Sequence, residues 1–583
     1  MRGADPKVLG DILDHWYVES PEREAVGYIP DLKNCGVVDQ LSYRELRNRA
    51  LEIAHCLIGK GYTSGQRAIL TFGPGIDFVE AFFACSYAGI IAVPSPAPKR
   101  AAAGIERFKS ILADSAPSLV LCDSNSRPSV EKHLSSMTQE EVQCFDIDML
   151  RGCSAGELDI VDPGDLALLQ YTSGSTSDPK GVMVTHNNLI NNLTTIGDNL
   201  GIVGDINILG WLPLTHDMGL IGQLLYPLSV GGRVRLIPPS EFIRHPIEWL
   251  NLISKERSPV AVAPNFAYEY CARAAGASDE EVLHKLDLSG LMVALNGAEP
   301  INTNTMDRFT EVFARVGFRR ESFAPTYGLA ESTLMVCAKR PGTPPLELLV
   351  DRDALERGKL VESTGVSTDQ RVVSSGHFDP GSVAIVDHLT GCRLEDGSVG
   401  EIWISGPSVA KGYWQKSELS TEIFHASING EAGSYLRTGD LGVTFGQSLF
   451  VTGRIKDLII LRGRNLYPHD IELAIAVGVD TSGFGATAVF GIENGADVIV
   501  VQEVDGAVAG ELPDAAARIK VMLAEQFGIG QTTVVFVPRK TITHTTSGKI
   551  RRNAIKRLFL DSAIESIFES PARGIEGRMK EHA

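Results

Sequence analysis

The chain has 583 residues, 44% of them hydrophobic and 22% charged, with a formal net charge of −18. That length exceeds what one core supports and implies two to four domains, while the composition is that of an ordinary soluble globular protein and the acidic balance argues against nucleic-acid binding. Nine cysteines scatter from Cys35 to Cys392 without a C-x-x-C pair, which excludes a disulfide framework and a zinc site and points to reduced thiols in the cytoplasm.

In chain order, the N-terminus MRGADPKVLGD lacks the apolar core of a signal peptide. Ser42-Tyr43-Arg44-Glu45 is a capping-box pattern that opens a helix with Leu46, Ala50, Ile53, Ala54, Leu57 and Ile58 on one face, stopped by Gly59 and Gly61. RAILTF (67–72) reads as the next strand, VEAFFACSYAG as a helix and IIAVP (90–94) as a buried strand. The apolar stretch from Ala81 is too short for a bilayer span, so no integral membrane association is expected. Alternation of strand and helix to about residue 340 implies parallel sheets covered by helices. EIWISG (401–406) and LFVTG (449–453) indicate a smaller β subdomain.

After GRIKD (453–457) the character changes. The strands ATAVFGI (486–492), DVIVVQEV (497–504) and TTVVFVP (532–538) surround a helix that opens at Pro513-Asp514 and ends at Gly528. The expected fold class is α/β. A large N-terminal domain over 1–454 has several subdomains with mixed and parallel sheets, and a small α+β domain occupies 455–583.

The chemistry concentrates in short turns. YTSGSTSDPKG (171–181) follows the strand LALLQ (166–170); its small residues let backbone N–H groups approach an anion, while hydroxyls and Lys180 complete a phosphate cradle. It is not a Walker A loop, because Pro179 and Gly181 flank the lysine. NGAEP (296–300) follows the apolar run LMVAL (291–295). TYGLAE (326–331) places a ring, a glycine and a carboxylate together, LRTGD (436–440) ends a strand in an Asp, and TTSGKIRR (545–552) sets Lys549 in a second Gly/Ser loop. Taken singly, these read as a β-turn for NGAEP and TGD, a core aromatic for Tyr327 and a solvated lysine for Lys549. In this order and at these separations they form one constellation.

That constellation closely resembles the adenylate-forming superfamily, from Leu41 to about Arg557. LPLTHDMGLIG (212–222), APNFAYEYCARA (263–274), NGAEP, YGLAEST with Ala330 in place of the usual Thr, and GRNLYPHDIE (463–472) resemble its fatty acyl-AMP ligases in particular. The segment of about 340–375, with VDRDALERGKLVES, looks like the insertion that separates those ligases from CoA ligases. Ser177 and Phe378 depart from the residues usual at their positions, Gly and Pro.

The resemblance implies an ATP-dependent, Mg²⁺-assisted attack of a carboxylate on the α-phosphate, giving an acyl-adenylate and pyrophosphate. By position, Thr172, Ser173, Gly174, Ser175, Thr176 and Lys180 would embrace the β- and γ-phosphates, and Thr176 and Glu331 would lie at the metal. Tyr327, followed by Gly328, would stack on adenine, flanked by Gly297, Ala298 and Glu299. Asp440, assisted by Arg454, would hold the ribose. Lys549 would be the catalytic cation, brought in by a mobile C-terminal domain that swings about Lys456. His216 matches the segment lining the acyl pocket, though a packed core histidine accounts for it equally well. Cys271 and Cys337 read as buried structural thiols.

The implied acceptor is the phosphopantetheine thiol of a holo acyl carrier protein acting in trans, since no carrier domain follows. The place in metabolism would be lipid, polyketide or lipopeptide synthesis. The insertion would disfavour CoA by limiting the swing or blocking its tunnel. KIRRNAIKR, with Lys549, Arg551, Arg552, Lys556 and Arg557, is the strongest basic cluster for docking an acidic carrier, against a plain solvated helix face. Two rival readings are an acyl-CoA ligase and a non-catalytic nucleotide-binding scaffold.

Overall fold

The capping box forms as its sequence demands. In a computed structural model of the chain, the Ser42 hydroxyl accepts the Glu45 N–H at 3.2 Å while the Glu45 carboxylate accepts the Ser42 N–H at 2.8 Å, opening the helix Tyr43–Gly59. The structure describes residues 6–34, 36–98, 102–135, 142–152, 156–171, 179–202, 206–276, 280–363, 365, 369–479, 483–492, 497–505, 510–544 and 549–572.

Two sheets organise the first 340 residues. The eight-stranded sheet runs in the order Met335–Ala338, Phe323–Gly328, Val293–Gly297, Val260–Pro264, Asn207–Gly210, Arg233–Leu236, Glu24–Tyr28, Asp39–Ser42. Its six middle strands are parallel, and an antiparallel strand closes each edge. Val260–Pro264, Val293–Gly297 and Asn207–Gly210 are buried along their whole length, the pattern of strands covered on both faces. The six-stranded sheet has the order Gln143–Asp146, Leu119–Cys122, Arg67–Thr71, Ile91–Pro94, Leu166–Tyr171, Gly181–Thr185. Its last pair is antiparallel, so residues 172–180 connect two neighbouring strands.

An antiparallel sheet follows, in the order Val383–Val386, Gly400–Ile404, Leu436–Phe445, Ser448–Arg454, joined through bridges of His377 to Ala338 and Ser448. LRTGD does not end a strand here. It begins Leu436–Phe445, and the register shift beyond Leu441 bends that strand. The strand expected over 291–295 starts at Val293 instead, because Leu291 closes a turn back onto Leu288.

The insertion contains the hairpin Glu347–Val350 and Gln370–Val373 and the short helix Arg352–Glu356. It packs its own small cluster, Val350, Leu355 and Leu360, on Val443 and Phe450. Beyond it, Phe484–Ile492, Asp497–Val504, Thr532–Pro538 and Phe568–Ser570 form a mixed four-stranded sheet flanked by the helix Leu512–Phe527. The largest buried apolar cluster ends its fully buried members at Leu449, and a separate one begins at Ile459. Among the described residues, no helix is long and apolar enough to cross a membrane.

Candidate active site

Four of the parallel strands release their chains at the same sheet edge, the carboxyl end where open α/β sheets bind ligands. Gly210 leads to Trp211–Asp217, Pro264 to Asn265 and Phe266, Gly297 to Ala298 and Glu299, and Gly328 to Ala330 and Glu331. Small residues at this edge are demanded by geometry. A Cβ on Gly328 would stand 1.7 Å from the Leu334 carbonyl oxygen, and one on Gly297 would stand 2.5 Å from Thr326 Cγ2. Ala298 takes a left-handed φ of 63°, strain of a kind concentrated at ligand sites.

Glu299 turns back so that its Oε1 accepts the Phe266 N–H at 2.5 Å. Burial pushes its carboxyl up to about 7, against the pull of that amide and of Lys549. His216 Nδ1 lies 2.7 Å from Asp217 Oδ1, which also accepts the Met218 N–H at 2.7 Å. Burial would raise the Asp217 carboxyl, but His216, the Met218 amide and the charge of Lys549 hold it below the usual range. The His216 side chain is one-fifth exposed and paired with Asp217. Gln170, on the other sheet, donates to the Thr215 carbonyl at 2.9 Å and pins this segment to the strand before residues 172–178.

Asp440 gathers the opposite wall. Its Oδ2 accepts the Tyr327 hydroxyl at 2.8 Å and its Oδ1 accepts Arg454 Nε at 2.9 Å; Asp440 and Arg454 are cross-strand partners. Glu331 Oε1 accepts the Tyr413 hydroxyl at 2.8 Å, and Lys180 Nζ lies 5.2 Å from the Tyr413 ring centroid. That stack aligns the lysine of the first loop with the carboxylate of TYGLAE.

Lys549 comes to the same place from the far end of the chain. Burial pushes its ammonium down to about 8, helped by Arg454 and opposed by the carboxylates of Asp440, Asp217 and Glu299. Five groups drawn from between positions 217 and 549 thus share one electrostatic neighbourhood. Lys456, in the turn Ile455–Asp457, is lowered by burial and by Arg454, with Asp440 and Lys180 also in reach.

Of the residues singled out in the sequence, Lys180, His216, Gly297, Ala298, Glu299, Tyr327, Gly328, Glu331, Asp440, Arg454 and Lys549 are described and border this space. Thr172, Ser173, Gly174, Ser175 and Thr176 lie outside the described residues. Asp217 and Tyr413 were missed. The only sequence signal for Asp217 is its place beside His216, and Tyr413 has none, since 82 residues separate it from Glu331.

Among the described residues no three His, Cys, Asp or Glu side chains cluster as a metal cage. A hard cation that takes most of its oxygens from a nucleotide needs only one or two carboxylates, one of which Glu331 can supply. The basic run does not form one solvated face: Arg552 is bound to Glu472 at 2.8 Å, Lys556 donates to the Gly491 carbonyl at 2.7 Å, and Arg557 is exposed. Cys271 and Cys337 are fully buried thiols raised by burial.

The sequence model of the AMP-binding enzyme family matches residues 13–414. The medium-chain-fatty-acid–[acyl-carrier-protein] ligase of Moorena producens is 37% identical over 573 residues, 96% of each chain. A solved structure from studies of fatty acyl-adenylate ligases of E. coli and L. pneumophila superposes with a TM-score of 0.87 at 33% identity, covering 96% of this chain and 99% of that one. A fatty acyl-adenylate ligase of L. pneumophila, in complex with acyl adenylate and pyrophosphate, gives 0.74 at 33% identity, covering 97% and 98%.

Proposed function

This chain belongs to the AMP-binding enzymes and is a fatty acyl-AMP ligase of the adenylate-forming superfamily, an enzyme that uses ATP, and we propose that it joins a fatty acid to AMP and passes the acyl group to a holo acyl carrier protein in trans. The observation that carries this reading is the meeting of Lys549 with Asp217, Glu299, Asp440 and Arg454. Carboxylate and α-phosphate are both anions, so the reaction needs a cation where charge passes between them. Lys549 supplies it as a compact ammonium on a flexible stem.

The remaining roles follow from position. Asp440, steadied by Tyr327 and Arg454, holds the ribose hydroxyls. Gly297, Ala298, Glu299, Tyr327 and Gly328 enclose the base. Thr172, Ser173, Gly174, Ser175, Thr176 and Lys180 take the outer phosphates, and His216 faces the acyl side. Mg²⁺, bound through Glu331 and Thr176, neutralises phosphate charge when present. The chain divides into 1–454 and a mobile 455–583 and works in the cytoplasm.

The insertion supports a carrier over CoA. Arg464 Nε donates to Glu356 Oε2 at 2.6 Å, and Arg352 lies 5.1 Å from the Phe527 ring centroid, so the insertion holds the C-terminal part at two adjoining points. Purified protein given ATP, Mg²⁺, a fatty acid and either CoA or holo carrier protein should form the carrier thioester. Predominant acyl-CoA would sink the acceptor assignment, and no fatty-acid-dependent pyrophosphate exchange would revive the scaffold.

A further inference from the structure

The segment 407–414 straps the turn of Glu331 to the strand Gly181–Thr185. Its Ala410 N–H donates to the Glu331 carbonyl at 3.0 Å, and its Ser408 carbonyl accepts the Thr333 hydroxyl at 2.6 Å. Past Ala410 it runs antiparallel to the strand: Lys411 donates to the Met183 carbonyl at 3.0 Å, Met183 to the Gly412 carbonyl at 2.9 Å and Trp414 to the Gly181 carbonyl at 2.7 Å. One short stretch of chain therefore fixes Glu331 against the strand that follows the first loop.

The turn under this strap is strained. Thr333 takes φ 66° and ψ −63°, and the Leu334 N–H donates to the Ser332 carbonyl at 2.7 Å, a γ-turn of positive φ, the rare form. A β-branched residue holds such a conformation only where its surroundings over-determine it, and strain of this kind gathers at ligand sites. Thr333 lies two residues from Glu331, and its bond to Ser408 is one of the restraints.

Tyr413 brings the strap to the Glu331 side chain. It is 5% exposed, its ring meets Phe424 edge-on at 5.0 Å, and its N–H donates to Ser420 Oγ at 2.9 Å, so the helix Ser417–Phe424 holds it in place. From there its hydroxyl reaches Glu331 and its face meets Lys180. A phenol suits this position better than an ion would. It hydrogen-bonds the carboxylate without neutralising it, and it attracts the ammonium through the ring quadrupole without pairing it. Both charges remain available to a ligand.

We infer that Tyr413 is a positioning residue with two separable tasks: its hydroxyl aims the Glu331 carboxylate at nucleotide-bound Mg²⁺, and its ring aims Lys180 at the outer phosphates. The inference rests on the adenylation reading and adds the side chain that aligns metal recognition with phosphate recognition.

Substitution separates the two tasks. Tyr413→Phe removes the hydroxyl and keeps the ring; Tyr413→Leu removes both. Calorimetry follows ATP binding to the full chain and each variant, without fatty acid, in excess Mg²⁺ and in EDTA. Tyr413→Phe should lose about tenfold in affinity with Mg²⁺ and stay within about twofold of the parent in EDTA, as expected for one charge-assisted hydrogen bond. Tyr413→Leu should weaken binding in EDTA as well, by about threefold or more. In pyrophosphate release, Tyr413→Phe should need more Mg²⁺ for half-maximal rate, with the KM for the acid unmoved. An equal loss in both buffers for Tyr413→Phe marks a merely structural role and overturns the inference, as does Mg²⁺-dependent binding within about twofold of the parent. Parental affinity of Tyr413→Leu in EDTA overturns the task given to the ring. If Tyr413→Leu does not fold, Tyr413→Phe decides alone. A parent that binds ATP equally in both buffers refutes the metal assignment within the adenylation reading and the hydroxyl's task with it; a parent whose Mg²⁺ dependence survives intact in Tyr413→Phe refutes the inference alone.

Discussion

The hydroxyl of Tyr327 donates to Oδ2 of Asp440 at 2.8 Å, tying the end of a parallel strand to the middle of an antiparallel one 113 residues away. Arg454 takes the other oxygen, so the carboxylate is fixed in direction while keeping lone pairs for a ligand. Tyr327→Phe should keep the ring and its packing but free Asp440 to rotate. The expected outcome is a rise in KM for ATP of roughly tenfold with kcat changed less, read from pyrophosphate release at varied ATP. Asp440→Ala should be far worse, since it strands both donors. A Tyr327→Phe enzyme with parental KM would show that the hydroxyl orients nothing.

Lys549 carries a pH prediction. Its ammonium is the active form and its pKa is pushed down to about 8, so deprotonation begins within the range of ordinary assays. The sign is fixed: kcat/KM for adenylation should be level below about pH 8 and fall as pH rises through that value, because kcat/KM reports the free enzyme. Lys549→Ala should lose adenylate formation by about a thousandfold while still binding ATP, and its residual rate should lack that alkaline limb. Single-turnover adenylate formation across pH 6.5 to 9.5 measures both.

The sequence disclosed this fold where the cause was local. Ser42 and Glu45 cap a helix through their own backbone, and the apolar run 497–504 is a strand along its full length. It was least informative where partners are distant. LRTGD looked like a strand end because Gly439 and Asp440 favour turns, yet pairing of Asp440 with Arg454 overrides that preference. Tyr413 gains its role only through its contact with Glu331, 82 residues away, which no short window contains.

His186 links the fold to acidity. It is 1% exposed, its Nδ1 accepts the Leu9 N–H at 3.2 Å, and burial pushes its imidazole down to about 4. The native state keeps it neutral, while an unfolded chain protonates it near 6.5. The unfolded state therefore binds more protons between those values, and stability falls as pH drops from about 6.5 toward 4, by up to ~3 kcal/mol from this residue. His186→Gln retains an acceptor for Leu9 without titrating. Its stability should depend less steeply on pH in that window, measured by urea unfolding at pH 7 and 5; an unchanged slope would assign the acid sensitivity elsewhere.

Arg464 and Glu356 offer the sharpest test of the acceptor. Glu356 is 3% exposed, and burial raises its carboxyl against the opposing charge of Arg464. Arg464 also donates to the Phe527 carbonyl at 3.2 Å, so one guanidinium joins the insertion to the end of the helix Leu512–Phe527. Arg464→Ala leaves a buried acid without its partner and should cost roughly 2–4 kcal/mol of local stability, visible as faster amide exchange over 347–356. Adenylate formation needs only the closed arrangement around Lys549, so it should fall little. Release of the grip should widen the range of positions open to the C-terminal part, and the ratio of acyl-CoA to carrier thioester should rise severalfold over the parent. Faster exchange with an unchanged product ratio would mean that this contact stabilises the insertion without selecting the acceptor.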